Sequence, residues 1–131
     1  MTDRELLELA AKASGMEVNT NYTDRYFPED CMPDAESPSL LVYGRGKWNP
    51  FVDDGDAFRL AVQLGLMLDI YTGEKVGPNG EYELNISDAW HIRPDGKGGG
   101  EASSEQHHND AYSATRRAIT RAAAEIGKTL P

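Results

Sequence analysis

Cys31 is the only cysteine among 131 residues, which excludes an intramolecular disulfide and every cysteine-rich zinc site. A reducing compartment suits such a chain. No apolar run approaches the roughly 20 residues that a membrane helix needs, and Met1-Thr2-Asp3-Arg4-Glu5 has neither the basic start nor the apolar core of a signal peptide. The expectation is a cytoplasmic protein with no membrane partner. Positive charge is scarce as well, with 13 Lys and Arg against 22 Asp and Glu for a net charge of −9, so phosphate backbones are repelled and nucleic acid is disfavoured. Only residues 101–131 are balanced, with four bases and four acids, and any basic patch must use the last helix.

Diagnostic catalytic motifs are lacking too. Neither Gly44-Arg45-Gly46-Lys47 nor Gly96-Lys97-Gly98-Gly99-Gly100 ends in the GK[ST] of a phosphate-binding loop, and no Gly-x-Ser-x-Gly or His-Glu-x-x-His occurs. No catalytic residue, metal ligand set or cofactor is expected, and the balance leans away from an enzyme.

A hydrophobic fraction of 39% and a charged fraction of 27% are those of a globular chain, at a length common for one domain. Thr2 with Glu5 forms a capping box, and Leu6, Leu9, Ala10 and Ala13 recur at helical spacing, so a helix is predicted over about residues 3 to 13. Residues 16 to 39 read as a long irregular connection with aromatic anchors, and Leu40-Leu41-Val42-Tyr43 as a brief strand. Asp53 or Asp54 opens a second helix that ends at Gly65.

Leu66 to Tyr71, Glu81 to Ile86 and Ala89 to Arg93 read as adjacent strands, with Tyr82, Leu84 and Ile86 facing the core. Residues 95 to 105 lack any apolar period and read as a mobile loop. His107 and His108 then fall at an exposed helix start, and a final helix over about 109 to 127 ends at Gly127. The expected fold class is α+β: one domain over 1–131, with a small antiparallel or mixed sheet of three to four strands sandwiched between helices (αβα).

Candidate site residues fall in two places. Asp53, Asp54 and Asp56 offer hard oxygen ligands for a divalent cation, although their spacing is not that of a calcium loop, and capping with helix-dipole stabilisation competes with metal binding. Beside them, Trp48 and Asn49 could present an indole edge and an amide to a ligand, or fold onto the core. Arg116, Arg117 and Arg121 form a basic cluster suited to an anion or an acidic partner surface, or to internal carboxylates.

Two blocks carry a resemblance: Trp48-Asn49-Pro50 through Asp53-Asp54-Gly55-Asp56-Ala57-Phe58-Arg59-Leu60-Ala61, and Ala114-Thr115-Arg116-Arg117-Ala118-Ile119-Thr120-Arg121-Ala122-Ala123-Ala124-Glu125-Ile126-Gly127. Together they resemble the phage ABA-sandwich family of small bacteriophage and prophage proteins. The resemblance implies a helix-sheet-helix sandwich encoded by a phage and acting in the bacterial cytoplasm. It implies no activity and no catalytic positions.

The function expected is that of an accessory protein binding a host or phage protein, or another macromolecule, without catalysis. One alternative is a binder of a small anionic ligand such as a nucleotide, held between the 48–56 turn and the arginines. Another is a metal-assisted hydrolase using Asp53, Asp54 and Asp56. Apolar faces on all three helices suit a homodimer as well as a monomer.

Overall fold

The computed structural model describes residues 1–18, 39–92 and 102–131. Helix α1 (Asp3–Ala13) begins at the expected box: Thr2 Oγ1 accepts the Glu5 N–H at 3.1 Å, and Glu5 Oε2 accepts the Thr2 N–H at 2.7 Å. Two of the helix's orphan amides are thereby satisfied. Strands β1 (Leu40–Val42) and β2 (Gly46–Trp48) form a short antiparallel hairpin, with Leu40 opposite Trp48. Helix α2 (Asp54–Leu64) is capped by Asp53 and stopped by Gly65, whose φ of 64° is the left-handed conformation that glycine adopts without steric cost.

Strands β3 (Met67–Val76), β4 (Tyr82–Trp90) and β5 (Ala102–Gln106) form a second antiparallel sheet in the order β3-β4-β5. A register shift between Thr72 and Glu74 leaves Gly73 as a bulge, and its N–H is satisfied by Asn85 Oδ1 at 2.9 Å. The two runs read separately at 81–86 and 89–93 are one continuous strand through Trp90. Ala102–Gln106 is a strand within the stretch expected to be a mobile loop. Residues 19–38 of the first long connection and residues 93–101 lie outside the described residues.

Helix α3 (Ala111–Lys128) is the organising element. Ala118 and Ala122 meet Ala89 of β4, while Ile119, Ala123 and Ala124 join the main core of Leu6, Leu7, Leu40, Trp48, Phe51 and Leu60. Gly127 does not end the helix. It lies inside it, where an added Cβ would stand 2.1 Å from the Leu9 carbonyl oxygen, so its bare backbone is what lets α1 and α3 cross so closely. The class is α+β, with three helices flanking two antiparallel sheets of two and three strands, broadly the expected αβα sandwich.

One face assignment is corrected. Pairing of Leu68 with Ala89 and of Ile70 with Ser87 places these residues on the face toward α3. Tyr82, Leu84 and Ile86 therefore point to the opposite face, and Tyr82 is exposed. Strict alternation identifies two faces without revealing which one a helix covers.

Candidate functional site

Each residue of the Trp48–Asp56 turn has a structural task. Trp48 is wholly enclosed in the core and Asn49 is buried, so neither offers an edge to a ligand. Asn49 Oδ1 accepts the Phe51 N–H at 3.0 Å, an Asx turn that brings the chain into α2. Asp53 Oδ1 accepts the Gly55 N–H at 3.3 Å as the cap. Asp54 reaches across to Arg116 at 2.7 Å. Asp56 is buried and accepts the Asn49 N–H at 2.9 Å and Arg59 Nη2 at 2.8 Å. Asp53 and Asp56 share Arg59, at 4.0 and 2.8 Å, while Asp54 turns to Arg116, and among the described residues no group of three His, Cys, Asp or Glu side chains is placed to hold a metal ion.

The arginine cluster is likewise engaged within the chain. Arg116 Nε donates to the Phe51 carbonyl at 2.8 Å while Nη1 holds Asp54, tying α3 to the start of α2. Arg117 pairs with Asp3 at 3.0 Å, lies 3.8 Å from Glu105 and stacks its guanidinium 5.1 Å from the Phe51 ring centroid. Arg121 bonds Glu105. The turn and Arg116 do come together, as the ligand reading required, but they meet in an ion pair that already neutralises both. A bound anion would have to displace Asp54.

A buried polar chain unsuspected from the sequence links the large sheet to α3. Ser87 Oγ lies 2.9 Å from His107 Nε2 and 2.7 Å from Thr115 Oγ1, and Thr115 Oγ1 donates to the Ala111 carbonyl at 2.7 Å. With the Thr115 proton committed there, Ser87 must donate to Thr115 and accept from His107, which therefore carries its proton on Nε2. The Ser87–His107 contact has the length of a nucleophile–base pair, but Ser87 is 1% exposed and its proton points away from the histidine. It joins the large sheet to α3. His107 is thus buried rather than at an exposed helix start, and the left-handed residues His108 and Asn109, at φ 47° and 76°, turn the chain from β5 into α3 behind it.

A large recess between described residues is apolar. Helix α2 and strand β3 diverge from the Gly65 stop, leaving an open cleft of about 640 Å³ backed by α3. Leu68, Ile70 and Thr72 form its floor, Ala57 and Phe58 one wall, and Tyr112, Thr115 and Ile119 the other, with the Asp54–Arg116 pair at one end. Phe58 is 67% exposed, Tyr112 74% and Ile70 53%. The volume lies within the roughly 300–1,000 Å³ of small-molecule and anchor pockets, and large apolar side chains gathered in this way mark an interaction site more often than an inert surface.

Sequence reasoning missed this cleft because its parts come from three elements. A signal was present in α2, where Phe58 and Val62 stand four apart on a different side from the buried Ala57, Leu60 and Ala61. That is more apolar surface than one buried face uses.

No family model matches the chain, and no curated protein or solved structure matches it either. No helix of the described residues is long and apolar enough to cross a membrane.

Proposed function

We propose that the protein is a phage- or prophage-encoded accessory protein that binds a host or phage protein without catalysis, and that the partner seats apolar side chains in the cleft between α2, α3 and β3. The observation carrying this reading is the exposure of Phe58, Ile70 and Tyr112 around one recess, while Arg59, Arg116, Arg117 and Arg121 are engaged by Asp56, Asp54, Asp3 and Glu105 within the chain. Aromatic anchors at the centre of an interface commonly supply most of its binding energy. The phage setting rests on the resemblance of residues 48–61 and 114–127, and the bacterial cytoplasm follows from that setting.

The test is affinity purification of the tagged protein from phage-infected cells, with the wild type beside a Phe58→Ser, Tyr112→Ser double variant. Both side chains are largely exposed, so each change should alter stability by no more than about 0.5 kcal/mol. A stoichiometric protein partner on the wild type, weakened tenfold or more on the variant, is the expected result. Equal recovery on both would remove the cleft as the docking surface, and a co-purified nucleotide or metal in place of a protein would overturn the reading altogether.

A further inference from the structure

Strand β3 is an edge of the large sheet: it pairs with β4 and with no other described strand. The direction of its free backbone groups can be worked out. The His107 N–H donates to the Asn85 carbonyl at 3.0 Å, so the main chain of Asn85 faces β5. In an antiparallel ladder alternate residues bond to opposite neighbours, so Ile86, Asp88 and Trp90 face β3. Their partners Tyr71, Asp69 and Met67 bond inward, and Leu68, Ile70 and Thr72 direct their N–H and C=O groups out of the sheet.

Exposed sheet edges are normally blunted by lysine, proline, bulges or short strands. Here the bulge at Gly73 and Lys75 guard only the second half of the strand. Met67–Thr72 has no such protection: its one charge, Asp69, points to the face opposite Leu68 and Ile70, and Met67 and Ile70 are exposed.

We infer that β3 pairs with β3 of a second copy of the chain, antiparallel about a two-fold axis at Ile70, to make a continuous six-stranded sheet. The register follows from chemistry. Centred on Ile70, the outward-facing residues meet as hydrogen-bonded pairs, Ile70 with Ile70 of the second copy and Leu68 with its Thr72, while Asp69 stands opposite Tyr71. An axis at Asp69 would set two carboxylates directly opposite, which is destabilising. An axis at Tyr71 would carry the ladder into the Gly73 bulge, where regular pairing stops.

Leu68, Ile70, Met67 and the neighbouring Phe58 expose roughly 400 Å² per copy, so their burial in the pair gives at most about 800 Å² beside the strand backbones, the range of a weak, reversible interface. Two chains of net charge −9 repel one another, so association should tighten as ionic strength rises.

This goes beyond the cleft reading and does not depend on it, because the edge lies in the sheet plane and is read in purified protein alone. Pairing would set the Leu68–Ile70–Thr72 floors of two clefts side by side, so that a partner meets two sites related by the axis.

Sedimentation across a concentration series, on the wild type and on Ile70→Lys, reads the association directly. Ile70 is half exposed, so the lysine is tolerated by the isolated chain yet sets two ammonium groups face to face in the pair. A second measurement fixes the register. In a Cys31→Ser background, Ile70→Cys places two thiols on residues about 5.5 Å apart between Cα atoms, inside the disulfide range of roughly 4.4–6.8 Å. Asp69→Cys places them about 8 Å apart, beyond it.

The expected result is a wild-type dimer, a tenfold or greater loss of association in Ile70→Lys, and rapid oxidation to a covalent dimer with Ile70→Cys but not with Asp69→Cys. A wild type that stays monomeric to millimolar concentration overturns the inference. So does a dimer indifferent to Ile70→Lys, or one that crosslinks preferentially through Asp69→Cys.

Discussion

Replacing Gly127 by alanine puts the central feature of the fold under the most direct strain. The new methyl would stand 2.1 Å from the Leu9 carbonyl oxygen, 2.8 Å from its carbon and 3.2 Å from its Cα. All three are backbone atoms of α1, so no rotamer change can relieve the contact and the helices must separate. Overpacking costs about 1–3 kcal/mol where side chains can yield, and an unyielding backbone puts the cost near about 3 kcal/mol. Alanine returns roughly 1 kcal/mol through its higher helix propensity. The net loss is about 2 kcal/mol, which in a chain of this length lowers Tm by roughly 6–8 °C.

Gly55→Ala supplies a control of opposite sign. Its methyl would meet only the guanidinium end of Arg59, at 3.1 Å, and that flexible group can swing aside. Stability should hold or rise by up to about 1 kcal/mol. Urea unfolding followed by circular dichroism reads both variants, and an unchanged m-value would show that the unfolded reference is the same. If Gly127→Ala were as stable as the wild type or more so, α1 and α3 could not cross where the structure puts them.

Two further outcomes follow from single side chains. Asp56→Ala removes the acceptor of the buried Asn49 N–H and the partner of Arg59, and leaving a buried donor unsatisfied should cost about 1–3 kcal/mol in urea titration; a loss under about 0.5 kcal/mol would make the turn indifferent to this carboxylate. Asp69, with burial and the 3.4 Å hydrogen bond between the two groups, holds the Tyr71 hydroxyl above the usual phenol range. The unfolded chain therefore ionises first, and the contribution of Tyr71 to stability is lost as pH climbs past the ordinary tyrosine value. In ultraviolet titration the Tyr71 ionisation should move down in Asp69→Asn, and no movement would place the cause elsewhere.

What the sequence made legible was local. The Thr2–Glu5 box, the Asp53 cap and the Gly65 stop were readable because capping chemistry acts within one turn, and α1 begins, and α2 begins and ends, where those residues put them. Gly127 shows the limit: a glycine near the end of a helical pattern looks the same whether it terminates the helix or admits a neighbour. Trp48 and Asn49 could equally have lain outward, since only contact with the α1 and α3 layer makes them core. His107 and Thr115 lie 20 and 28 residues from Ser87, too far for any spacing rule to connect them. The signal that could have been weighed more heavily is Ala114, Ala118 and Ala122, whose spacing of four marks a helix face built for close approach.

That close approach is the physical origin of the cleft. Small residues on one side of α3 seat it against β4 through Ala89, Ala118 and Ala122, while Ile119, Ala123, Ala124 and Gly127 on its other side seat it against α1 and the core. On the large sheet α3 lies over β4 and β5 rather than over the edge strand β3. The next element able to cover β3 is α2, but Arg116 holds its first turn to α3 through Asp54 and Phe51, and β3 leaves its last turn by way of the Gly65 reversal. Leu68 and Ile70 are left without a cover by the same contacts that make the core tight. Enlarging Ala118 or Ala122, which face Ala89 and not the cleft, would lift α3 from β4, so the floor stays uncovered as long as α3 keeps its close seat on the sheet.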